Sequence, residues 1–421
     1  MPVMLLVGVV LSGEEENTRY AALPMRFSKT QKIRIASAIG SLLFGTIGLG
    51  GIGVSMGSKS LMIIAVTLQG IPFAIYYLIS LELLAAWSPA RPGLAVGLGN
   101  LAYGLGTIAF SGLFEYLLER VKCSTALFIT GIALVFFSAP SIALLSWPCK
   151  KCSTQGGFPE SYADVDDEGE LISWRKLPFL IPFWHYVLAI FAGQTGYAFI
   201  PYFFNIGRSF GMSSTTVIRS YQIAITCSTV FRLLVGVLSD CLKWGNGFFS
   251  IGSKNVTLLL FIMQSFSYIA LISFSQTLNY DGFVFSASVI LMVFAGVAVE
   301  SAVLARDIFS PSNSSLIFGV GASIAMGIGE VMSGKIMAAV DLSARSAELS
   351  PEKYNMFYVI GVVLSIQGFL VCIMLRRYKA PRRSIVTYSE TVLNGVTALK
   401  ADEASSLSTL YGAVQREETP L

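Results

Sequence analysis

Three ionisable side chains stand deep inside long apolar stretches of this chain: Arg232 in STVFRLLVGVLSD, Glu300 in AGVAVESAVLARD and Glu330 in GASIAMGIGE. A guanidinium keeps its proton wherever the chain places it. In a low-dielectric setting it needs a partner or an aqueous cavity, and insertion scales charge roughly 2.5–3.5 kcal/mol for such a residue near a helix centre. Two readings follow for Arg232. It pairs with Glu300 or Glu330 as a structural element, or it lines a cavity and binds a substrate carboxylate. The two acids have matching alternatives: counter-ions for Arg232 or Lys335, or carriers of a proton.

Neutral polar residues in the same stretches extend the list. Gln194, Tyr197 and Tyr202, with Tyr76, Tyr77, Asn100 and Tyr103 earlier in the chain, could hydrogen-bond a carboxylate in a central cavity. Tyrosines near helix ends serve equally well as interfacial anchors. His185, in IPFWHY, reads as an interfacial polar residue in preference to a proton relay. Glu82, near the end of its run, reads as structural. The cysteines Cys149 and Cys152 form a lone CxxC, and with one histidine in the chain two further zinc ligands are missing. No GxxxxGK[ST] loop is present, and one histidine makes a Ser/His/Asp constellation hard to build. The expectation is a protein that is not an enzyme and holds no cofactor or metal.

The elements that must position these residues are helices in a bilayer. The chain has 421 residues, 54% hydrophobic and 13% charged, with a mean hydropathy of +0.68. Soluble domains carry about 25% charged residues, so the composition excludes an ordinary soluble fold. Ten apolar runs approach or exceed spanning length: 33–56, 61–86, 93–117, 123–146, 180–205, 214–238, 256–276, 283–305, 315–340 and 355–375. They lack the two-residue alternation of a membrane barrel. The fold class is therefore an all-α polytopic membrane protein. If the helices alternate, eighteen Lys and Arg residues fall in the loops of one side and seven in those of the other. The positive-inside rule puts that basic side, with both termini, in the cytoplasm. The charge is not a nucleic-acid surface.

Residues 1–31 read as a short apolar run and a basic segment, 32–147 as four spans, 148–178 as an acidic cytoplasmic linker, 179–379 as six spans, and 380–421 as a disordered tail. Sequons at Asn255 and Asn313 fall in cytoplasmic loops and are expected to stay unmodified. Tyr411-Gly-Ala-Val matches a tyrosine-based sorting signal, a pattern that chance supplies often. Glycines crowd the first, third and ninth runs at spacings that let helix backbones pack closely in lipid.

Three stretches resemble one family. WSPARPGLAVGLGNLAYGLG (87–106) is similar to the signature of oxalate/formate antiporter-like members of the major facilitator superfamily. GVLSD (236–240) matches the opening of the superfamily's G-x-x-x-D motif in its second-half copy. DIFSPSNSSLIFGVGASIAMGIGEVMSGKI (307–336) resembles a segment shared by oxalate/formate antiporters and monocarboxylate transporters. The resemblance implies a two-bundle fold in which Arg91, Gly236 and Asp240 belong to the gating motif and Asp240 helps close the cytoplasmic side. Monocarboxylate transporters carry an Asp-x-x-x-Arg pair where this chain reads Ser228 to Arg232, so the arginine matches and the proton-coupling aspartate does not. Glu330 stands where that segment usually has proline, and the lysine that some antiporters use for a second carboxylate is missing.

The resemblance implies a secondary transporter of a small organic anion, a monocarboxylate first of all, working by alternating access with binding near the midplane. Substrate contacts fall to Arg232, Tyr197, Gln194, Asn100, Tyr103 and Tyr76, with Glu300 and Glu330 balancing charge or carrying a proton. An amino-acid or other small-solute transporter of the same fold is the alternative, as is a truncated member that does not transport. Four spans followed by six suggest a twelve-span fold lacking its first span and most of its second, through an incomplete gene model or as a true ten-span variant. The plasma membrane is the expected location, with an organelle membrane as the alternative.

Overall fold

The computed structural model describes residues 29–146, 172–242, 250–343 and 350–378. The apolar run 2–12, the Cys149–Cys152 pair, the acidic segment 160–170 and the tail with Tyr411 lie outside the described residues. Among the described residues, ten helical segments are long and apolar enough to cross a bilayer.

The first span is α1 (Lys29–Leu43) and α2 (Ile47–Ser55), joined by a 3-10 turn. Helices α3 (Lys59–Trp87), α4 (Pro92–Leu118) and α5 (Cys123–Leu144) follow. The fifth span is α6 (Ile181–Gly193) and α7 (Phe199–Ser209), interrupted by a 3-10 segment, Gln194–Ala198. Then come α8 (Ser214–Cys241), α9 (Gly252–Gln276) and α10 (Tyr280–Phe309). The ninth span is α11 (Pro311–Ile317) and α12 (Ser323–Ser343), with a π-helical segment, Phe318–Ala322, between them. Helix α13 (Asn355–Met374) is the last.

Local chemistry sets these boundaries. Ser58, Ser213 and Asn279 each accept a backbone N–H of the first turn of α3, α8 and α10 with their side chains. Pro92 and Pro311 open α4 and α11, where a missing N–H costs nothing. Ser310, at φ 78°, makes the sharp turn before Pro311. Buried Lys254 donates to the carbonyls of Ile373 (2.9 Å) and Leu375 (2.8 Å), capping the end of α13. Asn255, which donates to Leu242 O, and Asn313, which is 3% exposed, are both held in helices, an arrangement unfavourable to glycosylation.

Helices α1–α5 pack on one another, and so do α6–α13; α4 against α8 is the largest contact between the two sets. That contact is made by small residues. Gly93 and Gly97 of α4 meet Gly236 and the backbone of Arg232 and Leu233, and Gly104 meets Thr229. A Cβ at Gly236 would overlap the Gly93 carbonyl oxygen. At the basic end of the pair, Asp240 accepts from the backbone N–H groups of Gly93 (3.0 Å) and Leu94 (2.8 Å). These are first-turn donors that have no partner within α4, and the carboxylate also complements the helix dipole. Arg91 takes no part in this contact: its guanidinium is exposed, and its backbone forms the turn that leads into α4.

A methyl group at Gly236 therefore has no room while the basic end is closed. Overpacking of this kind costs about 1–3 kcal/mol, or roughly 5- to 150-fold in the equilibrium between closed and separated helices. In the Gly236→Ala background a Val96→Cys reporter, at a position 1% exposed, should react with a membrane-impermeant maleimide faster by a factor in that range. Equal labelling rates would show that the close approach does not hold the gate.

Candidate functional site

A cavity of about 890 Å³ lies between the two sets of helices. From the first set it takes Tyr77 of α3 and Asn100 and Tyr103 of α4; from the second it takes Gln194, Tyr197, Arg232 and Glu330. It extends away from the basic end to Ser111, Gly112 and Glu115, which are exposed. The α4–α8 contact closes it at the other end.

Two interruptions in the helices shape its walls. The 3-10 segment presents buried Gln194 and half-buried Tyr197, with Gly196 pressed against Phe294 and Ile290 of α10. The π-helical segment precedes the turns of α12 that carry Ser323, Met326, Gly327 and Glu330 into the cavity. Gly329 lets α12 lie against the side chain of Gln194. Interruptions like these expose backbone groups, and in a bilayer they are tolerated where they are buried or line a cavity.

Arg232 sits where α8 faces α4. Its Nη1 donates to the backbone carbonyl of Asn100 at 3.2 Å, and its guanidinium lies 5.6 Å from the centre of the Tyr103 ring. Its Nε is buried without a hydrogen-bond partner. Among the described residues no carboxylate lies within 4.0 Å of it. The Tyr77 hydroxyl stands 3.3 Å from Asn100 Oδ1 and 3.4 Å from Ala298 O, so α3, α4 and α10 meet at this point. The Asn100 amide donates to Val96 O at 3.1 Å, which leaves its oxygen turned to Tyr77. Arg232 therefore has an unpartnered donor in a polar chamber and, among the described residues, no carboxylate beside it.

Several expected residues lie elsewhere. Tyr76, expected to bind substrate, points away from the cavity: its hydroxyl donates to Ser37 O at 3.0 Å and its ring stacks on Phe44. One residue along a helix is a turn of about 100°, so Tyr77 faces the cavity and Tyr76 cannot. Glu300 is fully buried between α10 and α8, accepts from Ser239 at 3.1 Å, and does not line the cavity. It is not paired with Arg232. Lys335 is exposed on α12 and is no counter-ion for Glu330. Glu82 accepts from Ser315 at 2.5 Å, an inter-set contact near the basic end. Tyr202 packs against an apolar cluster, and His185 is half-buried on α6; neither lines the cavity.

Sequence reasoning did not select Gln222, Thr226 and Thr229, which share the cavity wall with Arg232. Their signal was available: steps of four, three and three residues along α8 make one helical face.

A profile of the Major Facilitator Superfamily matches residues 26–334. The chain belongs to the major facilitator superfamily. Solved structures agree on the fold. The E. coli fucose:proton symporter aligns at a TM-score of 0.56 with 11% identity, covering 89% of this chain and 88% of that one. A proton:xylose symporter bound to 6-bromo-6-deoxy-D-glucose aligns at 0.58 with 12% identity, covering 90% and 86%. A second structure of that xylose symporter aligns at 0.62 with 13% identity, covering 90% and 85%. Comparison with curated proteins gives no match. The protein is thus a multi-pass membrane protein of the major facilitator superfamily fold, with its cavity between the two sets of helices.

The geometry separates two neighbouring tyrosines. Tyr76→Phe removes one hydrogen bond, worth about 0.5–1.5 kcal/mol of stability, and should leave the KM for transport within about twofold. Tyr103→Leu removes a cavity wall and the ring beneath Arg232, and should raise KM roughly tenfold or more. A matching rise in both variants would contradict the placement of Tyr76.

Proposed function

We propose that this protein is a secondary active transporter of a small organic anion, a monocarboxylate in the first instance, that works by alternating access. The observation that carries this reading is Arg232: a permanent cation in the cavity, with an unpartnered Nε and no carboxylate within 4.0 Å among the described residues. A carboxylate from the cavity would supply what the chain itself does not. Asn100, Tyr103, Tyr77, Gln194 and Tyr197 offer hydrogen bonds around it. The basic end, closed by Asp240 on Gly93 and Leu94, is the cytoplasmic end in this reading, following the excess of Lys and Arg in its loops. The cavity then faces outward, and a substrate would enter past Glu115.

A second reading keeps the fold and changes the ligand to an amino acid or a neutral small solute. The tyrosines, asparagine and glutamine of the wall favour it, since they can bind hydroxyl groups as readily as carboxylates.

Reconstituted protein offered labelled monocarboxylates distinguishes these readings. A hydrogen bond to a charged group contributes about 1.5–3 kcal/mol, so Arg232→Ala should reduce carboxylate affinity roughly 10- to 150-fold. Arg232→Lys keeps the charge but not the planar fork and should lose less. Uptake by Arg232→Ala equal to the wild type would remove the arginine from the binding site. Saturable uptake of neutral solutes alone would favour the second reading.

A further inference from the structure

Arg232 lies near the closed end of the cavity, and the chain leaves bare aromatic surface about one helical turn outward from it. Four elements contribute. Helix α4 starts at the basic end, beside Asp240, so Tyr103, three residues after Asn100, lies about one turn nearer the mouth. Helices α3 and α10 run the other way: Arg306, near the end of α10, donates to Ala85 O, near the end of α3, at 3.1 Å. Phe73 and Phe294 precede Tyr77 and Ala298 by four residues each. They therefore lie about one turn outward of the point where the Tyr77 hydroxyl meets Ala298 O. Tyr197 of the 3-10 segment joins them through its ring contact with Phe294, 6.2 Å between centroids at 54°.

All four rings line the cavity, two from each set of helices. They are held from behind. Tyr103 meets Tyr77 edge to face at 5.9 Å, Phe73 meets Phe44 in the same manner at 5.4 Å, and Gly196 presses on Phe294. Their surfaces toward the chamber stay uncovered: Tyr103 is 46% exposed and Phe73 42%, and Tyr197 and Phe294 are half-buried. Phe73 and Phe294 carry no polar atom, so hydroxyl groups on a solute gain nothing from them.

A two-carbon anion held at Arg232 ends short of these rings, since a turn of helix rises about 5.4 Å. The cavity volume of about 890 Å³ is also near the top of the roughly 300–1,000 Å³ of sites that enclose drug-sized ligands. We propose that the substrate is an aryl monocarboxylate. Its carboxylate pairs with Arg232, and its ring, one or two carbons away, packs among Phe73, Tyr103, Tyr197 and Phe294. The proposal rests on the anion reading of Arg232 and narrows the substrate class of that site. Offset and edge-to-face contacts favour an aromatic ring over a saturated ring of the same size. A ring in this position touches both sets of helices, so binding draws the two together.

The test compares labelled phenylacetate, cyclohexylacetate and acetate, with phenylacetamide as the uncharged counterpart. The first two carry the same carboxylate and tether and differ only in the ring. Saturable, protein-dependent uptake is measured with the full chain in proteoliposomes at neutral pH. The wild type should show a KM for phenylacetate about 2- to 12-fold below that for cyclohexylacetate. It should be roughly 10- to 150-fold below that for acetate, which has no ring to bury. Phe294→Leu and Tyr197→Leu remove one ring each and should bring the ratio of the two ring acids toward one. Tyr76→Phe, which changes a side chain outside the cavity, should leave that ratio unchanged. The ratio is read within each variant, so differences in folded amount cancel. Equal KM values for the two ring acids in the wild type, or a ratio that survives both leucine substitutions, would overturn the proposal and leave the anion reading standing. Uptake of acetate without phenylacetate would do the same. Phenylacetamide taken up as well as phenylacetate, or saturable uptake of none of the three acids, would overturn both.

Discussion

The close approach of α4 and α8 is the constraint from which the rest of the structure follows. Gly93, Gly97 and Gly236 bring two helix backbones together, and Asp240 closes the contact by accepting the N–H groups of Gly93 and Leu94. No hydrophobic effect drives helices together in lipid, so association relies on packing and hydrogen bonds of this kind. The same contact seals one end of the cavity. It also directs Arg232, about two turns further along α8, at the Asn100 carbonyl.

The proposed function relies on a polar group that the chain leaves partly unsatisfied. Most buried polar atoms of the described residues have partners, in keeping with the cost of leaving them without. Arg232 Nε is an exception, and it is located in the cavity wall. Glu300 has an unpartnered oxygen as well, its other oxygen being held by Ser239, but it lies in the next helix layer, closed off from the cavity. Two ionisable groups that look alike in the sequence thus differ in whether a solute can reach them.

Two interruptions of the helical backbone border the same cavity. The 3-10 segment at Gln194–Ala198 and the π-helical segment at Phe318–Ala322 each precede or contain residues that line the cavity. A continuous helix would repeat every 3.6 residues and present fewer of its polar side chains to one chamber. Pro72 inside α3 belongs to the same pattern, because it removes a helix hydrogen bond about a turn from Tyr77.

The sequence by itself determined the membrane class, the ten spans and the superfamily, because apolar length, charge bias and the 87–106 and 236–240 motifs are properties of consecutive residues. It also marked Arg232 as a charge needing a partner, and it contained the stripe Gln222, Thr226, Thr229 that shares its face. What it could not decide was which side of each helix faces the chamber. Tyr76 and Tyr77 are chemically alike and adjacent, yet one packs on Ser37 and Phe44 while the other reaches Asn100. Glu300 and Glu330 both stand in apolar runs, yet only Glu330 lines the cavity. The choice is made by how neighbouring helices are rotated and packed, and that depends on glycine contacts between segments more than a hundred residues apart.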